Sequence, residues 1–352
     1  MLGASVAYIF FAFITTPLIL FLAHWHWTVR NAGTILIIFW TCIGNITGGI
    51  TTIIFLDAQD VTAAGWCDFA GNIRYLWGSG CCLGGLILLR RLKNIVSSST
   101  VPDSPRQRQR QFYIELTIGI FVPLIEVPLH YVVQGRRMAE IRDFGCMSPV
   151  YPCPWAIILV AWFPLVVSIA SAVFGGEQAF GKVLIDATSA ITVYLLMIRR
   201  HQLNDVIESK SPGLSTASYV RLTMLGLLYL CLWFPLSTAL LVIPLATIDF
   251  RIYRNWKAVH QDYRTIVFES VDNMNKAAYI TSELVRWQGP IIAIIFFVFF
   301  GIKPEVWESY YHVLSLCTAK WRSCFIRDTT SEKHQTCLLY TSDAADDTPC
   351  VD

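Results

Sequence analysis

Ala4-Ser5-Val6-Ala7-Tyr8-Ile9-Phe10-Phe11-Ala12-Phe13-Ile14-Thr15-Thr16-Pro17-Leu18-Ile19-Leu20-Phe21-Leu22-Ala23 runs for twenty residues without a charged side chain. A helix rises ~1.5 Å per residue, so about 20 apolar residues cover the ~30 Å hydrocarbon thickness of a bilayer. Working outward, further runs near this length appear at about Thr34–Leu56, Trp66–Leu89, Phe112–Val133, from Trp155, at Leu222–Leu245 and at Trp287–Gly301. The expected fold class is all-α, a polytopic membrane protein with a seven-transmembrane helix bundle and its N-terminus outside. Composition agrees. Of 352 residues 55% are hydrophobic and 15% charged, against roughly 45–50% and ~25% in soluble domains, and mean hydropathy is +0.51. A net charge of +2 gives no field that would point to nucleic acid. The 12 Trp, 14 Tyr and 21 Phe suit bilayer interfaces. The 11 Cys show no zinc-type spacing, and Cys81-Cys82 lie inside an apolar run as small buried residues.

Orientation follows from Lys and Arg in the links. With the N-terminus outside, 17 of them fall on the cytoplasmic side and nine outside, six of the nine in one long loop. No basic residue precedes the first span, so a cleaved signal peptide is not expected. Two stretches interrupt the pattern. Gly175-Gly176-Glu177-Gln178-Ala179-Phe180-Gly181-Lys182 is followed by Thr188–Ile198, an apolar run too short to span. Removing about Gly175–Thr188 would leave one long helix from Trp155 to Ile198. An unspliced intron or gene-model error and a true helix break both stand as readings. At the C-terminus, Cys337-Leu338-Leu339-Tyr340-Thr341-Ser342-Asp343-Ala344-Ala345-Asp346-Asp347 resembles the in-frame translation of a transposase sequencing adapter. Residues 337–352 are therefore expected to be a cloning scar, with the native tail truncated.

Polar groups inside apolar spans are costly and mark candidate sites. Glu126 and His130 stand four residues apart in the fourth span, on one helix face. They read either as a ligand-facing pair or as a hydrogen-bonded pair between helices; metal ligation would need more donors than the local sequence offers. Asn45 in the second span reads as an interhelical hydrogen bond, worth ~0.6–2 kcal/mol. Its Asn45-Ile46-Thr47 glycosylation pattern is discounted because it lies in the membrane. Arg74, two turns into the third span, is expected to snorkel, to face a carboxylate such as Glu126, or to meet an anionic ligand group. Pro235, midway along the sixth span, removes one backbone bond and bends the helix, as a static kink or a hinge. Cys67, Cys146 and Cys153 all fall on the oxidising side. Three pairings are open and the sequence does not choose among them; Cys67–Cys146 is the one expected. No Gly-x-Ser-x-Gly, His-Glu-x-x-His or P-loop pattern is present, and no duplicated, broken-helix halves of a transporter are evident.

Further residues fall in a familiar order: Trp25-His26 and Arg30-Asn31, then Trp40 and Asn45; Trp66-Cys67-Asp68; Pro128-Leu129-His130-Tyr131-Val132-Val133-Gln134-Gly135-Arg136-Arg137; Asp143-Phe144-Gly145-Cys146; Tyr219-Val220-Arg221-Leu222; Trp287, Pro290 and Phe296-Phe297-Val298-Phe299-Phe300-Gly301. Together, over most of the chain to about Tyr310, they resemble the fungal receptors for lipidated a-factor-type mating pheromones, class D of the G-protein-coupled receptors. The resemblance implies a receptor domain over 1–301, with 175–188 as a possible insertion, and a cytoplasmic tail over 302–336. It implies a multi-pass plasma-membrane receptor whose partners are a farnesylated peptide pheromone, a heterotrimeric G protein and membrane lipid. No nucleic acid and no cofactor are implied, and no enzyme activity. The expected ligand-binding residues are Glu126, His130, Arg74, Phe144 and Trp287. Arg90, Arg91, Arg199, Arg200 and Arg221 are expected to face the G protein, although lipid headgroups are the plainer partner for any single one. Pro235 is the expected hinge. The alternative is a transporter or channel with Glu126, His130, Arg74 and Asn45 along a polar path; an intramembrane enzyme would need a catalytic cluster that the sequence lacks.

Overall fold

The computed structural model describes residues 2–58, 63–96, 104–161, 251–269 and 276–302, and single positions at 166, 167, 169, 170, 221, 224, 307, 311 and 315. By its internal contacts the chain divides into two compact units, Met1–Ile302 and Lys303–Asp352. Most of the fifth span, the sixth span apart from Leu222's neighbours at 221 and 224, residues 175–188, residues 337–352, and Arg199, Arg200 and Pro235 lie outside the described residues.

Within the first unit α1 spans Leu2–Phe21, α2 Ala23–Thr28, α3 Ala32–Ile54, α4 Ala64–Val96, α5 Pro105–Leu124 and α6 Glu126–Val133. A short α7, Pro154–Ala156, runs on as a π-helical turn over Ile157–Ala161; α8 covers Trp256–Val259 and α9 Lys276–Phe300. Among the described residues, four helical stretches are long and apolar enough to cross a membrane: Leu2–Thr28, Ala32–Ile54, Pro105–Val133 and Tyr279–Phe300. The described residues are thus mostly helical, consistent with a polytopic membrane protein. At 33 residues α4 also has the length, and carries Asn72, Arg74 and Ser79 along it.

Several boundaries differ from the sequence reading. The link after the first span is helical, because α2 continues α1 and the chain turns only at Arg30, which has a left-handed φ of 55°. Asn31 then caps α3 by accepting from the Thr34 amide. The polar stretch before the fourth span is also helical. Ser104 forms a reciprocal capping box with Gln107, and Pro105 takes the first helical position, where its missing N–H costs nothing. A break at Ile125, between Pro123 and Pro128, divides α5 from α6. The seventh span begins eleven residues before Trp287, at Lys276, because Glu283 and Arg286 pair along the helix and so tolerate burial.

The α3 and α4 helices form the most extensive helix pair. At Gly33 a Cβ would stand 2.5 Å from the Leu88 backbone nitrogen, so only glycine permits this approach. Trp40 donates from Nε1 to the Gly119 carbonyl at 3.0 Å, tying α3 to α5. At the other side of the same end, His26 packs on Phe300 with ring centroids 4.9 Å apart. The opposite end of the bundle departs from a purely helical fold. There β1 (Met138–Ile141) pairs antiparallel with β2 (Gly145–Met147) and parallel with β3 (Ile266–Glu269), in the order β2-β1-β3. Strand pairing satisfies backbone groups that the loop after α6 would otherwise leave open above the helices.

Candidate functional site

The β1–β2 hairpin roofs the helices. Cys67, in the first turn of α4, is joined to Cys146 on β2, with Cα atoms 5.4 Å apart. Phe55, Met138 and both cysteines form one buried cluster beneath the strands. The turn between the strands is stitched to three helices. Asp143, with φ 61°, donates its amide to Phe55 O at 3.0 Å, and its carboxylate accepts from the Asp57 amide at 2.9 Å. Ser5 of α1 donates to the Asp143 carbonyl at 2.6 Å, and Arg286 of α9 donates to the same carbonyl at 3.4 Å. Gly145 completes the turn at φ 122°, a conformation other residues rarely adopt. Arg142 pairs with Asp57, and Arg137 grips Asp68 with two bonds of 2.5 and 3.2 Å. The hydrogen bond and charge of Asp68 raise the Arg137 guanidinium above its ordinary value. Nearby, burial raises the Tyr263 hydroxyl.

Beneath this roof lies a cavity of about 50 Å³, lined by α1, α3, α4, α9 and the hairpin. That is room for several waters at ~10–15 Å³ each. Phe144 hangs into it from the turn and is 3% exposed. Two guanidiniums stack on its ring, Arg74 at 5.1 Å and Arg286 at 4.9 Å from the centroid. Arg286 also lies 4.8 Å from the Tyr8 ring and 2.8 Å from Glu283 Oε1, a close ion pair that is not aligned as a hydrogen bond. Trp287 donates to the other Glu283 oxygen at 3.1 Å and packs edge-on against Tyr8. Asn45, at the cavity wall, donates to Thr15 at 3.3 Å, the interhelical bond its position suggested. Arg74 makes, among the described residues, no hydrogen bond or ion pair. An arginine at the centre of a membrane helix costs ~2.5–3.5 kcal/mol, and a desolvated cation–π contact such as that with Phe144 offsets ~2 kcal/mol or more of it.

Arg74 does not face Glu126. Five residues separate Arg74 from Ser79, so they diverge by about 140° around α4. Ser79 turns to α6, where its hydroxyl lies 2.6 Å from both Glu126 oxygens. Tyr75, on the same face as Ser79, packs tilted against His130 with ring centroids 4.2 Å apart and donates to Ser148 O at 2.9 Å. Glu126 and His130, both buried, therefore stand in the α4–α6 seam, and neither lines the cavity. The structure brings Arg74, Phe144 and, one shell away, Trp287 together. Sequence reasoning missed Arg286, Glu283 and Tyr8. The signal was the Glu283–Arg286 spacing of three, one helical turn, which lay just before the assumed start of the seventh span.

At the opposite end Arg90 is exposed; Arg221 is helical and half-buried. Arg91 is spoken for: Nη2 donates to Val29 O at 3.1 Å and Nη1 to Arg30 O, closing the turn between α2 and α3.

Comparison with known proteins converges on one group. The chain is 26% identical over 299 residues to pheromone receptor 2 of Mycosarcoma maydis, covering 84% of this chain and 82% of that one. It is 29% identical over 311 residues to pheromone receptor 1 of Ustilago hordei, covering 87% and 82%. Against the pheromone a factor receptor of Saccharomyces cerevisiae identity is 19% over 290 residues, covering 81% and 57%. The family model described as pheromone A receptor matches residues 7–320, and with nearly the whole bundle inside that match the chain belongs to the pheromone A receptor family.

Proposed function

We propose that this chain is a seven-helix G-protein-coupled receptor of the plasma membrane, N-terminus outside, for a prenylated peptide mating pheromone. The observation that carries the reading is the intramembrane cavity roofed by a disulfide-pinned hairpin, in a chain of this family. A disulfide belongs on the oxidising side of the membrane, which supports placing the hairpin, and with it the start of α1, outside. The α6 helix ends and α9 begins at the hairpin end, so the chain between them crosses an even number of times. Two crossings there would make seven, and the apolar runs from Trp155 and at Leu222–Leu245 are suited to them. Exposed apolar side chains on α5, such as Phe121 and Ile118, give a lipid-facing surface from which a prenyl group can approach; its burial contributes ~0.8 kcal/mol per CH₂.

In this mechanism the peptide meets the hairpin and the Arg74–Phe144–Trp287 region. Binding favours a conformation in which the sixth helix swings about Pro235, and the opened inner face, bordered by Arg90, Arg199, Arg200 and Arg221, takes the G protein. The shift is bounded by the ligand's differential affinity for the two states. The test is expression in yeast lacking its own pheromone receptors, with the chain ending at residue 336, both with and without residues 175–188. Each form is challenged with farnesylated peptides and read by a mating-pathway reporter. A response to one peptide is expected. Silence from both forms, each at the surface and coupled to a compatible Gα, overturns the reading in favour of a transporter.

A further inference from the structure

Beneath the hairpin Arg74 has no ion pair among the described residues, and the carboxylates at that end are engaged elsewhere; the fully buried Glu140 lies 3.9 Å from Cys67 Sγ. Asp68 is held by Arg137, Asp57 by Arg142, and the Asp143 carboxylate by the Asp57 amide. Glu283 is shared between Arg286 and Trp287. Both guanidiniums lie within about 5 Å of one ring centroid, so their charges converge on the same small space. That space is open to a few waters. A carboxylate is of this size, and a guanidinium binds it through two parallel hydrogen bonds.

We infer that the cavity beneath Phe144 is a subsite for the carboxylate side chain of an acidic residue in the peptide ligand, with Arg74 as its partner and Arg286 as the second positive charge. The inference rests on the receptor reading and adds to it the chemistry of one ligand residue. A peptide is favoured over a lipid headgroup as the source of the anion. The walls come from four helices and the hairpin, so the cavity faces the bundle interior, where a phosphate would have to drag its acyl chains. A carboxylate held through the in-plane N–H groups of Arg74 leaves the contact between Arg74 and the Phe144 ring in place.

The experiment uses the receptor in the yeast reporter strain. Each Asp or Glu of the agonist peptide is replaced by Asn or Gln, and each peptide is assayed on the wild type, Arg74→Gln and Arg74→Lys, with surface level measured by an epitope tag. One acidic position is expected to raise the half-maximal concentration about tenfold or more when neutralised on the wild type. On Arg74→Gln the acidic and neutral peptides should be equally weak, and Arg74→Lys should regain part of the difference. If Arg74→Gln does not reach the surface, the peptide-side change and Arg74→Lys still decide. An agonist without any acidic residue, or equal losses on acidic and neutral peptides, overturns the subsite while leaving the receptor standing. In vesicles of neutral phosphatidylcholine, with and without phosphatidylserine, an Arg74 effect that needs the anionic lipid assigns the site to a headgroup and also overturns it. Silence to every peptide removes the receptor reading and the subsite together.

Discussion

Helix α4 presents two polar faces, and they are settled in opposite ways. Toward α6, Ser79 and Tyr75 meet Glu126 and His130 in a packed seam: the carboxylate has a hydroxyl 2.6 Å away, and the imidazole has a tilted ring against it. Toward α1, α3 and α9, Arg74 meets an open cavity, an aromatic ring and a second arginine. Both faces hold ionisable groups at membrane depth, and by sequence alone both earned the same suspicion. The difference lies in completion. A polar group matched by a neighbouring helix contributes to association, ~0.6 kcal/mol on average for a hydrogen bond within a membrane. A cation whose contact among the described residues is an aromatic ring keeps its N–H donors open to a ligand. One gap remains in the seam, since His130 Nε2 has no hydrogen-bond partner among the described residues.

The comparison can be broken at several points. Cys67→Ser releases the hairpin that roofs the cavity; loss of a native disulfide costs ~2–5 kcal/mol. Surface receptor able to respond should fall by about tenfold or more, measured by tag labelling against reporter output, and an unchanged response would detach the roof from the site. Next comes the seam. Glu126→Ala with His130→Ala should cut surface abundance several-fold, as a loss of ~1–2 kcal/mol does, with the half-maximal peptide concentration moving by less than about threefold per surviving receptor. A shift of tenfold at full surface level would move the pair from the seam to the ligand. Phe144→Ala should change that concentration by about threefold to tenfold with abundance near normal, because each cation–π contact contributes ~0.5–2 kcal/mol. Its direction tests whether the ring obstructs the subsite or helps to build it. Arg137→Ala breaks an ion pair whose side chains are 39% and 42% exposed. Water and salt screen such a pair, and the melting temperature in detergent should stay within about 1 °C.

Much of the bundle was legible because transfer free energy is written into composition. Twenty apolar residues have few other destinations, and the first span was read within two residues at either end. The boundaries failed where local chemistry overrode hydropathy. The Ser104 capping box made a helix of a polar stretch, and the Glu283–Arg286 pair carried α9 eleven residues earlier than apolar content suggested. The hairpin sheet was invisible because its strands are four and three residues long and take their stability from the bundle below. For the site, Arg74 and Phe144 were singled out in advance and do meet. Glu126 and His130 were singled out as well, and meet a different face of α4 from their place on α6. Arg286 was passed over as a loop residue.

What the sequence determined by itself is the kind of molecule: apolar runs of bilayer length, a bias of Lys and Arg toward one side, and ordered motifs that place the chain in its family. These are local or one-dimensional properties, read without knowing which side chains touch. Only the tertiary structure decided which buried polar groups satisfy one another. A residue's spacing along a helix sets its angular direction, but what it meets there depends on how neighbouring helices rotate and how the hairpin folds down. Arg74 and Phe144, 70 positions apart, meet because the bond from Cys67 to Cys146 draws the turn over α4.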